Sequence, residues 1–554
     1  MGGFTRPKPV QEKGFSMLYK LKLVTLAACC AFCVAVSLAI ISGCSPQYYK
    51  AQADEQVYKI IDTKWQNHFG EKVNYKISDV APSPNDVKAE AVTSTAISLS
   101  DAVAMATASN RDYQNQKESL YLKALDLTLA RHQFARQWFG TIDAAYNKGT
   151  DITGENFEAV NSDAEIGFNQ MLADGGQIST SIALDWARFL TGDPRTSLGS
   201  VLSASITQPL LRGAGREVAQ ENLTQAERDV LYQIRSFNRF RQTFVVSIIS
   251  DYYRVLQQRD AVTNAEDNYK RVAESKDRLE MEAQAGRRNR YEVDQAEQNV
   301  LANKDNYVRA VERYQQQLDE FKIRLALPTD ANVELDQNEL RALEVSGVSE
   351  PDYTVNAAVE TALLSRLDLA NRADSVDDAA RKIMVAANGL EADLNLVGNA
   401  AVPSTGRTEF ERLQFHKGAY SFGFEADLPL DRLAERNIYR ESLIALMQQQ
   451  RDYDNSIDTV KLEVRQAYRQ LLESAEQYQI QKNGVGLADK RVESTSLLLE
   501  AGRLTARDLL DSQTALLAAQ NGLTAALIDH TIAKLKFFSD IGVLQVRPDG
   551  MWEK

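Results

Sequence analysis

Two aspartates near the C-terminus have the spacing at which side chains share one face of a helix. In the stretch EAGRLTARDLLDSQ, Asp508 and Asp511 are three residues apart, and positions i and i+3 lie on the same side of a helical turn. Carboxylates on a long helix ordinarily form a solvated face, so two aspartates exposed to water remain the alternative interpretation. If these two aspartates have a function, it depends on the negative charge of their carboxylates.

The rest of the sequence contains no catalytic constellation. No glycine-rich loop leads into a helix with a following Lys-Ser or Lys-Thr, and no two histidines stand four residues apart. The net charge of −13 argues against nucleic acid, which requires a basic surface. We therefore expect no enzyme activity, no cofactor, no bound metal and no nucleic-acid partner.

The N-terminus predicts export. Lys20 and Lys22 precede an apolar run over residues 23–41, which is followed by Ile-Ser-Gly-Cys at 41–44. A basic start, an apolar stretch and small residues before the break are typical of a signal peptide. The last four residues match the lipobox of bacterial lipoproteins, in which Cys44 is lipidated and becomes the new N-terminus. An uncleaved anchor is the alternative, because the run is long enough to span a membrane.

Processing at Cys44 would leave it as the single cysteine of the mature chain. The other cysteines, Cys29, Cys30 and Cys33, all lie within the signal. No disulfide or thiolate metal site is then expected. Translation can start at Met1 or at Met17, since the stretch after Met17 already supplies a basic start.

Three sequence landmarks occur twice in the same order, which predicts an internal duplication. They are an Ala-Val helical stretch at 101–112 and 356–372, Pro-Leu at 209–210 and 429–430, and Ala-Gly-Arg at 285–287 and 501–503. We therefore divide the chain into a signal peptide (1–43), an extension with a linker (44–96), a first repeat (97–350), a second repeat (351–542) and a tail (543–554).

Each repeat has the predicted order helix, strands, helix, tip, helix. Alternating polar and apolar residues predict strands, at 138–148, 164–172, 178–186 and 201–207 in the first repeat and at 394–402 and 421–428 in the second. Helical periodicity predicts helices at 99–136, 216–283, 290–325 and 431–499. The two longest would each extend about 100 Å at 1.5 Å per residue. In the extension, a helix at 51–70 would place Val57, Ile60, Ile61 and Trp65 on one side.

The stretch at 200–223 passes directly from a strand pattern into a helical one. Gln208 and Pro209 end the ladder, because proline has no N–H to donate and fixes φ. Gly213 and Gly215 then loosen the backbone, and Pro429 marks the same point in the second repeat. This junction, TQPLLRGAGR, together with ISLSDAVAMATASN at 97–110, the two Ala-Gly tips and the run at 509–541, resembles the TolC-type outer-membrane efflux proteins. The resemblance covers residues 97–542.

The resemblance implies a mainly α-helical fold with a membrane β-barrel. Three copies would form one barrel in the bacterial outer membrane, continued by a long α-helical barrel across the periplasm. Family members usually contribute four strands per protomer, whereas the first repeat alone offers four candidates here. The trimer would have twelve barrel strands if the hairpin at 164–186 stays outside the bilayer, and eighteen if it inserts.

The resemblance also implies two sets of functional residues. In the family, the positions of Asp508 and Asp511 point into the lumen at the periplasmic entrance, where three copies of each form rings of negative charge that bind cations. Glu292 matches Asp508 in the first repeat, Gln295 replaces the second aspartate, and Leu499 replaces the aromatic that closes the tip in some relatives. Residues after the tip glycines contact the periplasmic adaptor in the family. They correspond here to Gly286, Arg287, Arg288 and Asn289, and to Gly502, Arg503, Leu504 and Thr505.

The function implied is a passive exit for the substrates of a tripartite efflux system. Its partners would be two further copies of the chain, a periplasmic adaptor, an inner-membrane pump and outer-membrane lipid. The outer-membrane duct of a type I protein secretion system is an alternative that uses the same architecture. A lipid-anchored coiled-coil scaffold in the periplasm is a second alternative, but a scaffold has no use for paired strands beside each helix. The substrate, the pump, the adaptor, the role of residues 45–96 and the resting state of the gate stay open.

Overall fold

A computed structural model describes residues 45–70, 73–78, 96–150, 156–189, 196–348, 353–405, 409–547 and 552–553. It divides the chain into two units, residues 1–59 and residues 60–554. Cys44, the predicted signal peptide and the predicted linker at 82–84 lie outside the described residues.

Helices make up most of the described chain. In chain order they are α1 (Pro46–Phe69), α2 (Leu99–Ser109), α3 (Arg111–His132), α4 (Arg216–Ala219), α5 (Glu221–Gln284), α6 (Arg290–Arg324), α7 (Asn338–Ser346), α8 (Val355–Ser365), α9 (Leu367–Asn388), α10 (Leu433–Glu500) and α11 (Ala506–Asp540). The predicted long helices are confirmed by α5 and α10, of 64 and 68 residues. None of the described helices has the length and apolarity needed to cross a membrane.

Two predicted helices are interrupted. The helix predicted at 99–136 breaks at Asn110, which has extended backbone angles, and it ends at His132. Asn110 breaks it because its side chain accepts hydrogen bonds from the backbone N–H groups of Asp112 and Tyr113, and so begins a new helix. The helix predicted from residue 216 is likewise divided at Gln220, between α4 and α5.

The strands form one antiparallel sheet. They are β1 (Gln137–Thr150), β2 (Asn156–Met171), β3 (Gln177–Phe189), β4 (Thr196–Pro209), β5 (Asp393–Thr405), β6 (Glu409–Leu413) and β7 (Ala419–Asp427). The order is β1-β2-β3-β4-β5, with β6 and β7 both paired to β5. All four strands predicted in the first repeat are confirmed, and β2 and β3 pair with their neighbours along nearly their whole length. The short β6 was not predicted. A two-residue ladder, β8 (Gln545–Val546) with β9 (Trp552–Glu553), lies in the tail.

The register gives the sheet two chemically different faces. Directly opposed residues point to the same side, so the pairings Ile166 with Ile182 and Ile182 with Leu202 continue one apolar face across the strands. Large exposed side chains lie on this face, among them Trp138, Ile142, Tyr146, Ile206, Tyr420, Phe422 and Phe424. The opposite face is mostly polar, with Asp143 opposed to Asp163 and Asp163 opposed to Asp185. It continues through Ser179, Ser205, Asn399 and Ser421.

Short helices meet end to end beside the long ones. The Asn110 side chain, at the α2–α3 break, donates a 2.9 Å hydrogen bond to the carbonyl of Arg324, the last residue of α6. In the second repeat, Gly542 lies just beyond α11 and against the backbone of Ser365, at the α8–α9 break. The same junction is therefore built twice, which agrees with the predicted duplication.

The predicted helix of the N-terminal extension is confirmed as α1. Val57, Ile60, Ile61 and Trp65 are each at most 9% exposed, as the helical spacing predicts. Within residues 60–554, the Trp65 ring lies 5.8 Å from Tyr75 and 6.3 Å from Phe237 of α5. Lys64 donates a 3.0 Å hydrogen bond to the carbonyl of Glu227, and burial lowers the pKa of its amine. This part of the extension is therefore held on α5.

Candidate functional site at the helical hairpin ends

Two antiparallel helical hairpins carry the predicted gate and adaptor residues. The first hairpin is α5 with α6, and the second is α10 with α11. Gly286 and Gly502 have positive φ angles of 72° and 65°. Glycine adopts this conformation without the steric cost of a Cβ atom, so the chain can reverse its direction after each of the two long helices. Each of the two predicted tip glycines lies between the two helices of its hairpin.

Asp508 has a structural role that the sequence analysis missed. It is the third residue of α11, and its carboxylate accepts hydrogen bonds from the Thr505 backbone N–H at 2.9 Å and the Thr505 hydroxyl at 2.6 Å. The Thr505 side chain in turn caps the Asp508 backbone N–H, which completes a capping box. The hydrogen bonds from Thr505 lower the pKa of the Asp508 carboxyl. Asp508 therefore fixes the start of α11.

Asp511 differs from Asp508 in its surroundings. Its side chain is 65% exposed and lies 3.8 Å from Arg507, which is 72% exposed. An ion pair this exposed contributes little, about 0.3–0.5 kcal/mol at helical spacing. The Asp511 carboxylate is thus available to solvent ions.

Glu292, the counterpart of Asp508, lies beside a cation. Its Oε2 atom is 3.5 Å from Arg288 Nη1, and Glu282 Oε2 is 3.0 Å from Arg288 Nε. The Arg288 side chain is 15% exposed. Its Nη2 donates a 2.7 Å hydrogen bond to the carbonyl of Leu499 in the second hairpin, and Leu499 itself is buried. Arg288 thus offsets part of the negative charge of these two carboxylates and links the two hairpins.

The other predicted tip residues are mostly exposed. Arg287, Asn289, Arg503 and Thr505 are exposed, and Leu504 is half-buried. Arg287 and Arg288 are neighbours with opposite environments, since one faces solvent and the other is covered by the second hairpin. A contact surface at this end would therefore include Arg287 but little of Arg288.

The predicted junction residues hold the sheet to the helices. Pro209 is the last residue of β4, opposite Asn395, and the ladder continues one step through the Leu210 N–H to the Leu394 carbonyl. Gly213 and Gly215 have positive φ angles of 77° and 93°. Gln208 donates a 3.2 Å hydrogen bond to the Pro209 carbonyl. In the second repeat, β7 ends at Asp427, and the Pro429 carbonyl accepts a hydrogen bond from Arg432.

Sequence reasoning missed the residue that secures this junction. Asn388, at the end of α9, accepts a 2.7 Å hydrogen bond from the Gly213 N–H and donates one of 3.0 Å to the Leu211 carbonyl. The two halves of the chain are thereby joined where strand becomes helix. The available signal was an Asn at the end of a helical pattern, a residue type that often satisfies free backbone groups.

An ion network around the buried Asp378 was also missed. Asp378 of α9 accepts hydrogen bonds from Tyr232 at 2.6 Å and Arg381 at 2.7 Å, and Arg228 lies 2.5 Å away. Burial alone would raise the pKa of Asp378, but these partners together lower it. The network fixes α9 on α5.

This architecture defines a class of protein. A sheet with one apolar and one polar face, continued by two long helical hairpins, is the fold of outer-membrane efflux channels. Residues 358–536 match the family model described as outer membrane efflux protein. No curated protein matches the sequence. The resemblance predicted from the sequence is confirmed by the family model and by the fold.

Solved structures of three bacterial channels have this fold at low sequence identity. The Campylobacter jejuni outer-membrane channel CmeC is 13% identical, with a TM-score of 0.59 over 80% of this chain and 85% of that one. Vibrio cholerae VceC is 12% identical, with a TM-score of 0.59 over 80% and 96%. The open state of Neisseria gonorrhoeae MtrE is 14% identical, with a TM-score of 0.57 over 86% and 96%. The family and these structures are efflux proteins and channels rather than enzymes, so the expectation that this chain is not an enzyme is confirmed.

Proposed function

We propose that the chain is one subunit of a trimeric outer-membrane channel that gives passive exit to the substrates of a tripartite efflux system. The observation that carries this proposal is the two-faced sheet, whose long strands continue directly into helices. An apolar face suits lipid, whereas a polar face suits a water-filled lumen. Most of the strands have 13–16 residues, more than the roughly 9–11 that a tilted membrane strand requires.

The sheet edges favour association of copies. Within the described residues, β1 pairs only with β2 and β7 pairs only with β5, so each has one open edge. A sheet in lipid has to close, because an unpaired N–H or C=O in hydrocarbon is costly. Joining β7 of one copy to β1 of the next closes the sheet by rotation. With six long strands in each of three copies, the barrel has eighteen strands.

Exposed apolar side chains flank both edges. Leu430, Leu433 and Ile438 lie at the β7–α10 flank and are 100%, 54% and 56% exposed. Leu122 and Leu129 of α3 lie at the β1 flank and are 58% and 64% exposed. The two flanks are complementary in a head-to-tail contact, which is the contact type that forms rings. A periplasmic scaffold has no need for the two-faced sheet.

The remaining parts of the proposal rest on the sequence motifs and on the resemblance to the efflux family. Cys44 carries lipid and tethers the N-terminus to the outer membrane, and the long hairpins extend through the periplasm toward an adaptor and a pump. Asp508 and Asp511 line the far entrance and favour cations. Glu292 contributes less charge there, because Arg288 lies 3.5 Å away and offsets part of it.

The proposal is tested by measuring whether copies of the chain crosslink into trimers and whether the purified protein conducts ions. Cysteine pairs placed along β1 and β7, beginning with Ala145 and Ser421, should give covalent trimers on oxidation. The same substitutions in the inner strands β2 and β4 should not. Purified protein should form discrete channels in a planar bilayer, and mass spectrometry should find a lipidated Cys44 at the N-terminus. A monodisperse monomer that keeps its helical circular dichroism and forms no channels would refute the proposal.

A further inference from the structure

The hairpin of β2 and β3 lies between two strands that are attached to neighbouring helices. Helix α3 leads into β1, and β4 leads through α4 into α5, whereas β2 and β3 separate β1 from β4 in the sheet. The two helices are nevertheless in contact, since Arg131 Nη2 of α3 lies 3.0 Å from Glu227 Oε1 of α5. Three strand-to-strand spacings therefore adjoin a single helix-to-helix spacing.

The other attachments have no additional strands. Strand β4 pairs with β5, which follows α9, and β5 pairs with β7, which leads into α10. The helices come in the same order, with α5 against α9 and α9 against α10. In each of these two places, one strand spacing adjoins one helix spacing.

The hairpin makes up a difference in width between strands and helices. Strands about 4.8 Å apart and tilted by about 40° each take up about 6 Å of a barrel's circumference. Packed helices are about 9 Å apart, so the helices α3, α5, α9 and α10 of one copy take up about 36 Å. Four strands would supply only about 25 Å, whereas the six long strands supply about 38 Å. With β2 and β3, the sheet has the width of the helical layer that continues it.

The turn between β2 and β3 is built into the strand-to-helix junction. The Gly215 N–H donates a 3.1 Å hydrogen bond to the Asp174 carbonyl in this turn. Gly175 has a φ angle of 94°, and a Cβ atom there would clash with the Gly213 carbonyl oxygen. The turn can pack this closely because glycine has no Cβ atom. The hairpin is therefore an integral part of the sheet at the junction.

We propose that the β2–β3 hairpin widens the membrane barrel to the diameter of the helical tunnel, so that the exit admits bulky hydrophilic solutes as large as the tunnel itself carries. The inference rests on the proposed function, which closes three sheets into one barrel. Eighteen strands give a backbone diameter of about 36 Å, and an inward side-chain layer of about 5 Å leaves a lumen of about 26 Å. Twelve strands would leave a lumen of about 14 Å by the same geometry.

The side chains on the polar face near the junction suit a wide passage. Ser179 is opposed to Ser205, and Ser181 is opposed to Ser203, so small hydroxyl groups cover this part of β3 and β4. Small side chains narrow the lumen least, and neutral hydroxyl groups have no net charge to retain a charged solute. This face therefore favours the passage of large hydrated solutes over their binding.

The experiment measures which reagents reach the lumen side of the barrel near the junction. Ser205→Cys places a thiol on the polar face, and Ile206→Cys is the matched control on the apolar face of the same strand. The full-length proteins are treated in intact bacterial cells, where a large polymer reaches the barrel only from outside. The reagents are a small maleimide and a maleimide-bearing poly(ethylene glycol) about 20 Å across, a size between the two lumen widths. We expect both reagents to label Ser205→Cys and the polymer to leave Ile206→Cys unlabelled.

Deletion of residues 151–191 tests the hairpin itself. Strands β1 and β4 can then pair as antiparallel neighbours in the register that keeps Ser205 on the polar face. In this variant the small maleimide should still label Ser205→Cys, but the polymer should not. If the deletion variant does not assemble, the polymer result with the undeleted chain decides alone.

Three results would overturn the inference. They are labelling of Ser205→Cys by the small maleimide but not by the polymer, equal polymer labelling of Ser205→Cys and Ile206→Cys, and polymer labelling that persists in the deletion variant. Conductance separates this inference from the proposed function. A wild-type protein that forms channels but excludes the polymer refutes the inference alone. A wild-type protein that forms no channels refutes the proposed function, whatever the reagents show.

Discussion

Arg288 in the first hairpin donates a 2.7 Å hydrogen bond from Nη2 to the carbonyl oxygen of Leu499 in the second hairpin. The same guanidinium group lies 3.0 Å from Glu282 and 3.5 Å from Glu292, and it is largely covered. A second ion pair, between Arg278 and Glu500, also joins the two hairpin ends. Both of its side chains are more than half exposed. Because exposed ion pairs are weak, Arg288 is the stronger tie between the hairpins.

In the proposed channel, removing the Arg288–Leu499 hydrogen bond should loosen the contact between the two hairpin ends. We expect Arg288→Gln to raise single-channel conductance or make it more variable, and to speed proteolysis at residues 498–504. The change leaves Glu282 and Glu292 unpaired, which also raises the negative charge at the entrance. Planar-bilayer recording and timed proteolysis of the purified protein measure these effects. Arg287→Gln is the matched control, and the idea fails if the two variants behave alike.

The two aspartates of the second hairpin should contribute differently to ion selectivity and to structure. Asp511→Ala removes an exposed charge, whereas Asp508→Ala removes a charge and a helix cap. Both should reduce cation preference and block by a trivalent cation from the periplasmic side. Thr505→Ala is the control, because it loses the capping hydroxyl and keeps both carboxylates. If Thr505→Ala reduces the block as much as Asp511→Ala, tip geometry and not charge explains the effect.

The capping box should make the start of α11 sensitive to acid. The Asp508 carboxylate accepts hydrogen bonds from Thr505, and these bonds lower its pKa in the folded state. A carboxyl with a lowered pKa stabilises the fold above its unfolded pKa of about 3.9, and this stability is lost as the pH falls through the lower folded value. Amide exchange at residues 506–509, corrected for its intrinsic rate, should be slower in the wild type than in Asp508→Asn at neutral pH. The difference should disappear in acid, and a difference that stays constant with pH would contradict the assignment.

The sequence predicts the regular elements well because their periodicity is strong. Alternation identified all four strands of the first repeat. Leu223, Val230, Phe237 and Phe244 are seven residues apart, and the last three are buried in α5 while Leu223 is half-buried. The break at Asn110 was missed, because helical periodicity continues on both sides of a single capping residue. The cap at Asp508 could have been predicted, since Thr505 and Asp508 have the spacing of a capping box.

The contacts between hairpins could not be predicted in this way. Arg287 and Arg288 are identical in type and adjacent, yet only Arg288 lies against Leu499, 211 residues away. Which arginine turns inward depends on the packing of two hairpins, and no local pattern contains that information. The same holds for Asn388, whose partners in the strand-to-helix junction lie 175 and 177 residues away.

The two repeats also differ at one strained position, which provides a test of stability. Ala326 and Gly542 each lie 40 residues beyond their tip glycine, and their φ angles are 59° and 77°. Alanine in the left-handed region costs about 1–2 kcal/mol. A glycine there avoids the cost but gains freedom in the unfolded chain, worth about 0.4–1 kcal/mol. We therefore expect Ala326→Gly to leave the Tm unchanged or to raise it by a few degrees.

Alanine in place of glycine at the equivalent position of the second repeat, Gly542→Ala, should lower the stability of the protein much more. A Cβ atom at Gly542 would lie 3.1 Å from the backbone carbon and oxygen of Ser365, so Gly542→Ala adds crowding at the α8–α9 break to the backbone strain. Gly286→Ala is the control, because it carries the strain at φ 72° with nothing within 4 Å of the new atom. Thermal unfolding of the purified protein in detergent should give the lowest Tm for Gly542→Ala and an intermediate Tm for Gly286→Ala. Equal losses in the two variants would mean that backbone strain alone matters, and that the contact of Gly542 with Ser365 contributes nothing to the junction.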